Sequence, residues 1–136
     1  MKNWFLIFAI AFLPFVSLCG NEEWVKHSET MDFVVYTQRV ACDDEYNGLF
    51  QDKVLIRIEN KRPNAIKVSW DLATWYDQKE WGYGDLRFEV TIPANGVLEG
   101  NCQSQELSVF AEMRNHADVP KLTNFALENV RVTNLK

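Results

Sequence analysis

The chain has 136 residues, 47% hydrophobic and 24% charged, with 14 basic against 19 acidic side chains and a formal charge of −5. That length supports one domain with one core. An acidic balance without any basic stripe excludes nucleic acid and an anionic lipid surface as natural partners.

At the N-terminus, Lys2 precedes an apolar run over 4–16 that is interrupted at Pro14, and small residues follow at Ser17, Cys19 and Gly20. A basic end, a hydrophobic centre and a small-residue processing site are the order of an export signal, so residues 1–19 are expected to be a signal peptide. Three fates stay open for it. Cleavage after Cys19 would release a soluble domain. Alternatively, Cys19 becomes the lipidated first residue, since 16–20 resembles a bacterial lipobox apart from Leu18, which stands where that pattern has a small residue. An uncleaved anchor needs about 20 apolar residues, and this run is shorter. The expected destination is outside the cytosol: secreted, periplasmic or on the cell surface, with membrane contact only through a lipid on Cys19.

The leader contains one basic and no acidic residue, so the remaining 117 residues carry a charge near −6. They read as a flexible N-terminal segment over 20–31 and a domain over 32–136. With Cys19 in the leader, Cys42 and Cys102 are an even pair in an oxidising compartment and are expected to form a disulfide. In the chain-entropy account, such a long closed loop stabilises the fold by about 4 kcal/mol. Two distant cysteines with His27 and His116 do not compose a zinc site, so no metal and no cofactor are expected.

From residue 33 onward the pattern is period two. The segment 33–42 places Val34, Tyr36, Val40 and Cys42 on one face. In 54–60, Val54, Ile56 and Ile58 oppose Arg57 and Glu59. The segment 65–76 sends Ile66, Val68, Trp70 and Leu72 inward, and 86–92 does so with Leu86, Phe88, Val90 and Ile92. Next comes 107–113, with Leu107, Val109, Ala111 and Met113. The last run, 125–132, changes phase between Leu127 and Val130, which predicts a bulge or an edge. Turn signals separate these runs at 46–48, 61–64, 81–84, 93–96 and 100–101. The expected fold is all-β: a single antiparallel β-sandwich, immunoglobulin-like, of about seven strands with one disulfide. The spacing from Cys42 to Trp70 exceeds that of antibody domains, so Trp70 reads as an ordinary core tryptophan.

The densest chemical feature is aromatic. Trp70, Trp75, Tyr76, Trp81 and Tyr83 fall within fourteen residues, and Trp81 and Tyr83 are expected in a glycine-flanked loop near Asp77, Lys79, Glu80 and Asp85. Exposed rings beside polar groups suit a protein hot spot. They also suit a sugar face, with Trp75, Trp81 and Tyr83 stacking on pyranose rings and Asp77 and Asp85 accepting from hydroxyls. The plain alternative is that these rings pack the sandwich end.

The acidic turn 43–48 offers oxygen atoms and a glycine, but not the spacing of a calcium loop, so a solvated acidic turn is expected there. No nucleophile elbow, paired-histidine metal motif or phosphate loop is present, and His116 with Asp118 reads as turn chemistry. The sequence therefore leads to a non-enzymatic interaction module with a protein or glycan partner. An inhibitor or accessory subunit that pairs through a strand edge is the alternative.

Overall fold

The computed structural model describes residues 23–135, and for 82–86 the backbone only. The leader expected over 1–19, Cys19 included, lies outside the described residues. Within them the strands are β1 (Val25–Glu29), β2 (Phe33–Ala41), β3 (Gln51–Asn60), β4 (Ile66–Tyr76), β5 (Lys79–Ile92), β6 (Val97–Glu99), β7 (Ser108–Met113) and β8 (Leu122–Asn134). All pairings are antiparallel. One sheet runs β1-β2-β3, with β6 and β7 sharing the far edge of β3; the other runs β5-β4-β8. The two sheets form the expected β-sandwich. The β2-β3-β7 and β4-β8 pairings match those of strands A-B-E and C-F in immunoglobulin domains.

Two short strands, β1 and β6, bring the number to eight among the described residues. β1 lies inside the segment expected to be flexible. It pairs with β2, and Lys26 and Lys61 both reach Glu29, at 2.8 and 2.9 Å. A fully exposed edge strand has no apolar alternation, so its sequence carried no strand signal.

The core forms where the alternation said it would. Ile56, Ile58, Ile66, Val68, Trp70 and Ile92 are fully buried, with Val35, Val90, Leu107, Val109 and Phe125 around them. The phase of β2 is the exception. Register with β3 sets Phe33 opposite Asn60 and Val35 opposite Ile58, so these two enter the core. Tyr36 instead faces Arg57 on the outer side, its ring centroid 5.6 Å from the guanidinium carbon. Both parities of this strand offer apolar residues, so alternation alone could not choose. The unambiguous pattern of β3 chose for it.

The Cys42–Cys102 disulfide is present, with Cα atoms 5.5 Å apart. It does not cross between the sheets, as the antibody bond does. It joins the end of β2 to the connection between β6 and β7, and both of those strands pair with β3. Together β6 and β7 are one strand interrupted by an outgrowth at 101–106. The neck of the outgrowth closes on Ile56, whose carbonyl accepts from the Gly100 N–H at 2.8 Å and whose N–H donates to Leu107 at 2.9 Å. A Cβ on Gly100 would sit 2.0 Å from the Leu107 carbonyl oxygen, so only glycine fits this neck.

Asn60 closes the end of the sandwich nearest the β3–β4 turn. It is buried, and its side-chain N–H groups donate to the carbonyls of Asn64 and Pro93 at 2.9 and 3.0 Å. Its side-chain oxygen accepts from the Arg62 N–H at 2.9 Å.

Candidate functional site

The aromatic segment is a hairpin, and its turn is not where the glycines suggested. Tyr76 pairs with Lys79, which leaves Asp77 and Gln78 as a two-residue turn with φ of 51° and 70°. Positive φ at both central residues is the I′ geometry that matches strand twist. The expected loop at 81–84 lies within β5. Ala73 pairs with Gly82 and Asp71 with Arg87, so residues 83–86 bulge opposite the single residue Leu72. Glycines can mark a bulge as readily as a turn. Tyr83 and Asp85 belong to that bulge, and their side chains lie outside the described residues.

Register then divides the aromatic group. Trp81 pairs with Thr74, so it shares a face with Thr74 and Tyr76, whereas Trp75 projects from the opposite face beside Glu80 and Asn124. The expected joint face of Trp75 and Trp81 therefore does not form. Tyr76 and Trp81 meet edge to face, with centroids 6.4 Å apart at 90°. Tyr76 also lies 6.2 Å from the Phe110 ring and donates its hydroxyl to the Phe110 carbonyl at 2.7 Å. Thr74, fully buried, donates its hydroxyl to the Trp81 carbonyl at 3.0 Å and fixes the strand beneath the indole.

These rings line a concave notch of about 190 Å³ with Val119 and Pro120. Trp81 is 54% exposed, so much of its apolar surface faces solvent at the rim. Phe110, Val119 and Pro120 come from β7 and from the loop before β8. Nothing local to 75–85 announces them, because their contribution depends on the packing of β7 against β4.

Polar groups around the hairpin tip are already engaged. The Asp77 N–H donates to the Lys121 carbonyl at 2.8 Å, and the Asp77 carboxylate accepts the Lys121 N–H at 3.2 Å. The Gln78 N–H donates to Thr123 Oγ1 at 3.0 Å, and Thr123 donates to the Trp75 carbonyl at 3.1 Å. The tip is thus locked onto the start of β8, and Asp77 serves the backbone.

Elsewhere the charged residues hold one another. Asp44 caps a short 3-10 turn over Glu45–Asn47, accepting the Asn47 backbone N–H at 3.3 Å and its side-chain amide at 2.6 Å, while Asp43 pairs with Arg114. Arg114 also reaches Asp52 at 2.8 Å, and the Asp43 hydrogen bond leads the contributions that hold its guanidinium above the ordinary value. On the outer face of the second sheet, Asp71 accepts from Asn129 at 2.9 Å and Arg87 at 3.0 Å. The Asn129 hydrogen bond, followed by the hydrogen bond and charge of Arg87, holds that carboxyl below its usual range against the opposing effect of burial. Among the described residues no three His, Cys, Asp or Glu side chains gather as metal ligands. His27 stacks on Phe125 with centroids 4.8 Å apart, and His116 sits in the turn before β8, where its carbonyl accepts from Val119.

Compared with known protein families, curated proteins and solved structures, the chain matches none.

Proposed function

We propose that this chain is an exported, non-enzymatic interaction module that acts at or outside the cell envelope and binds a protein partner through the Tyr76–Trp81 notch. One observation supports this reading above the others. A half-exposed tryptophan stands at the rim of an apolar concavity whose floor is rigidly built by Tyr76 and Phe110. Hot spots concentrate in such aromatic pockets, because a partner side chain gains a fully desolvated contact at little ordering cost. The engagement of Asp77 by backbone favours a protein over a sugar, since a glycan needs open acceptors for its hydroxyls. The export signal read at 1–19 supports the location, and a disulfide suits an oxidising compartment.

The test is a pull-down from culture medium and envelope extract with wild type, Trp81→Ala and Trp75→Ala. The partner is expected to be lost with Trp81→Ala and kept with Trp75→Ala, because the two rings project from opposite faces. Trp81→Ala should keep its unfolding free energy within about 1 kcal/mol, as surface truncations do. Capture unaffected by Trp81→Ala would refute the notch. Quenching of tryptophan fluorescence by small glycans would replace the protein partner with a sugar.

A further inference from the structure

The disulfide occupies an unusual place for a stabilising bond. Neither Cys42 nor Cys102 belongs to the central core cluster, and the bond lies against the edge of a polar hollow of about 410 Å³ bordered by Asp43, Asp44, Gln51, Lys53 and Gln103. The chain on both sides of it is secured separately. On the Cys102 side, the neck of the 101–106 outgrowth is closed on Ile56 by two backbone hydrogen bonds. On the Cys42 side, the Cys42 N–H donates to the Gln51 carbonyl at 2.7 Å, and the following turn is held by Asp44 and Leu49. Beyond its neck, the outgrowth is folded on itself. Asn101 accepts from the Gln103 N–H at 2.8 Å, and its own N–H donates to Ser104 Oγ at 2.8 Å. Its ties to the sheet are the disulfide, the bond from Lys53 Nζ to the Cys102 carbonyl at 2.9 Å, and the bond from the Ser108 hydroxyl of β7 to the Ser104 carbonyl at 2.6 Å.

We propose that the Cys42–Cys102 bond is a redox latch. Its reduction lets the 101–106 outgrowth swing off the outer face of β3 and leaves the sandwich folded. Cys102 is the more exposed partner, Cys42 being only 8% exposed, so an external thiolate attacks the Cys102 sulfur. The S–S bond breaks as a mixed disulfide forms, and the Cys42 thiolate leaves and takes up a proton. A second thiol of the reductant then displaces Cys102. The net change is two electrons and two protons to the protein and one disulfide formed on the reductant. The outgrowth then keeps its neck, loses its covalent strap and is left on two side-chain hydrogen bonds, from Lys53 and Ser108, that open far more readily.

The experiment compares the oxidised protein, the dithiothreitol-reduced and alkylated protein, and the double variant Cys42→Ser, Cys102→Ser. Hydrogen exchange, near-ultraviolet circular dichroism and thermal unfolding are read on each. Both open forms should exchange amides in 101–106 at least about tenfold faster, as local opening does. Amides of Ile56 and of β4 should stay protected, the aromatic spectrum around buried Trp70 should persist, and melting should remain cooperative at a lower temperature. Loss of protection at Ile56 or of the aromatic spectrum in the double variant would make the bond a global staple and overturn the latch. Unchanged exchange in 101–106, or resistance of the native bond to dithiothreitol, would overturn it equally.

Discussion

At Asn60 one side chain connects two turns. Its amide answers carbonyls from the β3–β4 and β5–β6 connections, while its oxygen holds the Arg62 N–H. Its own backbone N–H donates to Gly96. Replacement by Leu, similar in volume, removes these bonds and leaves the part-buried Asn64 carbonyl and Arg62 N–H without their partner, each a desolvation cost of about 1–3 kcal/mol. Asn60→Leu is therefore expected to lower the unfolding free energy by about 2–4 kcal/mol in urea titration. A loss under about 0.5 kcal/mol would mean that water replaces the amide without penalty. Gly100 makes the complementary case, because it is needed for lack of a side chain rather than for one. Gly100→Ala must push the Leu107 backbone aside, at a cost of about 1–3 kcal/mol for overpacking. Neither role is legible in sequence. Asn60 reads as a strand end and Gly100 as a turn residue, and only the chain folded back onto them reveals why no other residue suffices.

The strands themselves were legible wherever one face is apolar and the other charged. The runs of β3 and β4 alternate so cleanly that their inward residues are the most buried in the molecule. The phase change before Val130 marks a real feature, a bulge at Asn129 with φ of 50° between Glu128 and Arg131. The candidate site was legible only in part. Its composition was visible, but the division between Trp75 and Trp81 depends on a turn at Asp77-Gln78, which two glycines further along concealed. That turn leads to a prediction at the scale of the hairpin. Gln78 holds φ of 70°, a conformation that costs a non-glycine residue about 1 kcal/mol. Its side chain is exposed and its backbone N–H bond to Thr123 survives substitution. Gln78→Gly should therefore raise the melting temperature by a few degrees, even after the greater freedom of glycine in the unfolded chain is counted. A fall would show that the side chain contributes more than the turn strain removes. The same bulge protects the outer edge of β8, since the Asn129 carbonyl is taken by Arg87 and the edge is bent.

Across the whole molecule, charge is distributed as small clusters that join strands distant in sequence, and these set the response to acid. Glu29 is held at about 2 by hydrogen bonds from Lys26 and Lys61, so it clamps edge strand β1 to the turn after β3. Asp71 is likewise lowered, by Asn129 and then Arg87, where β4, β5 and β8 meet. A carboxyl lowered in the folded state binds fewer protons there than in the unfolded chain. Its contribution is complete above the unfolded value, 4.5 for Glu29, and disappears as pH falls toward about 2. Lys26 and Arg114 are raised, so their contributions persist through neutral pH and fail only in strong alkali. The melting temperature should consequently be level between neutrality and pH 5 and decline through the window from about 4.5 to 2. Glu29→Gln should melt lower than wild type at pH 6 and converge with it near pH 2, and the gap at pH 6 should narrow in concentrated salt because this cluster is exposed. Parallel curves across the acid window would show that Glu29 titrates alike in the folded and unfolded chain, and the clamp on β1 would then contribute nothing to stability.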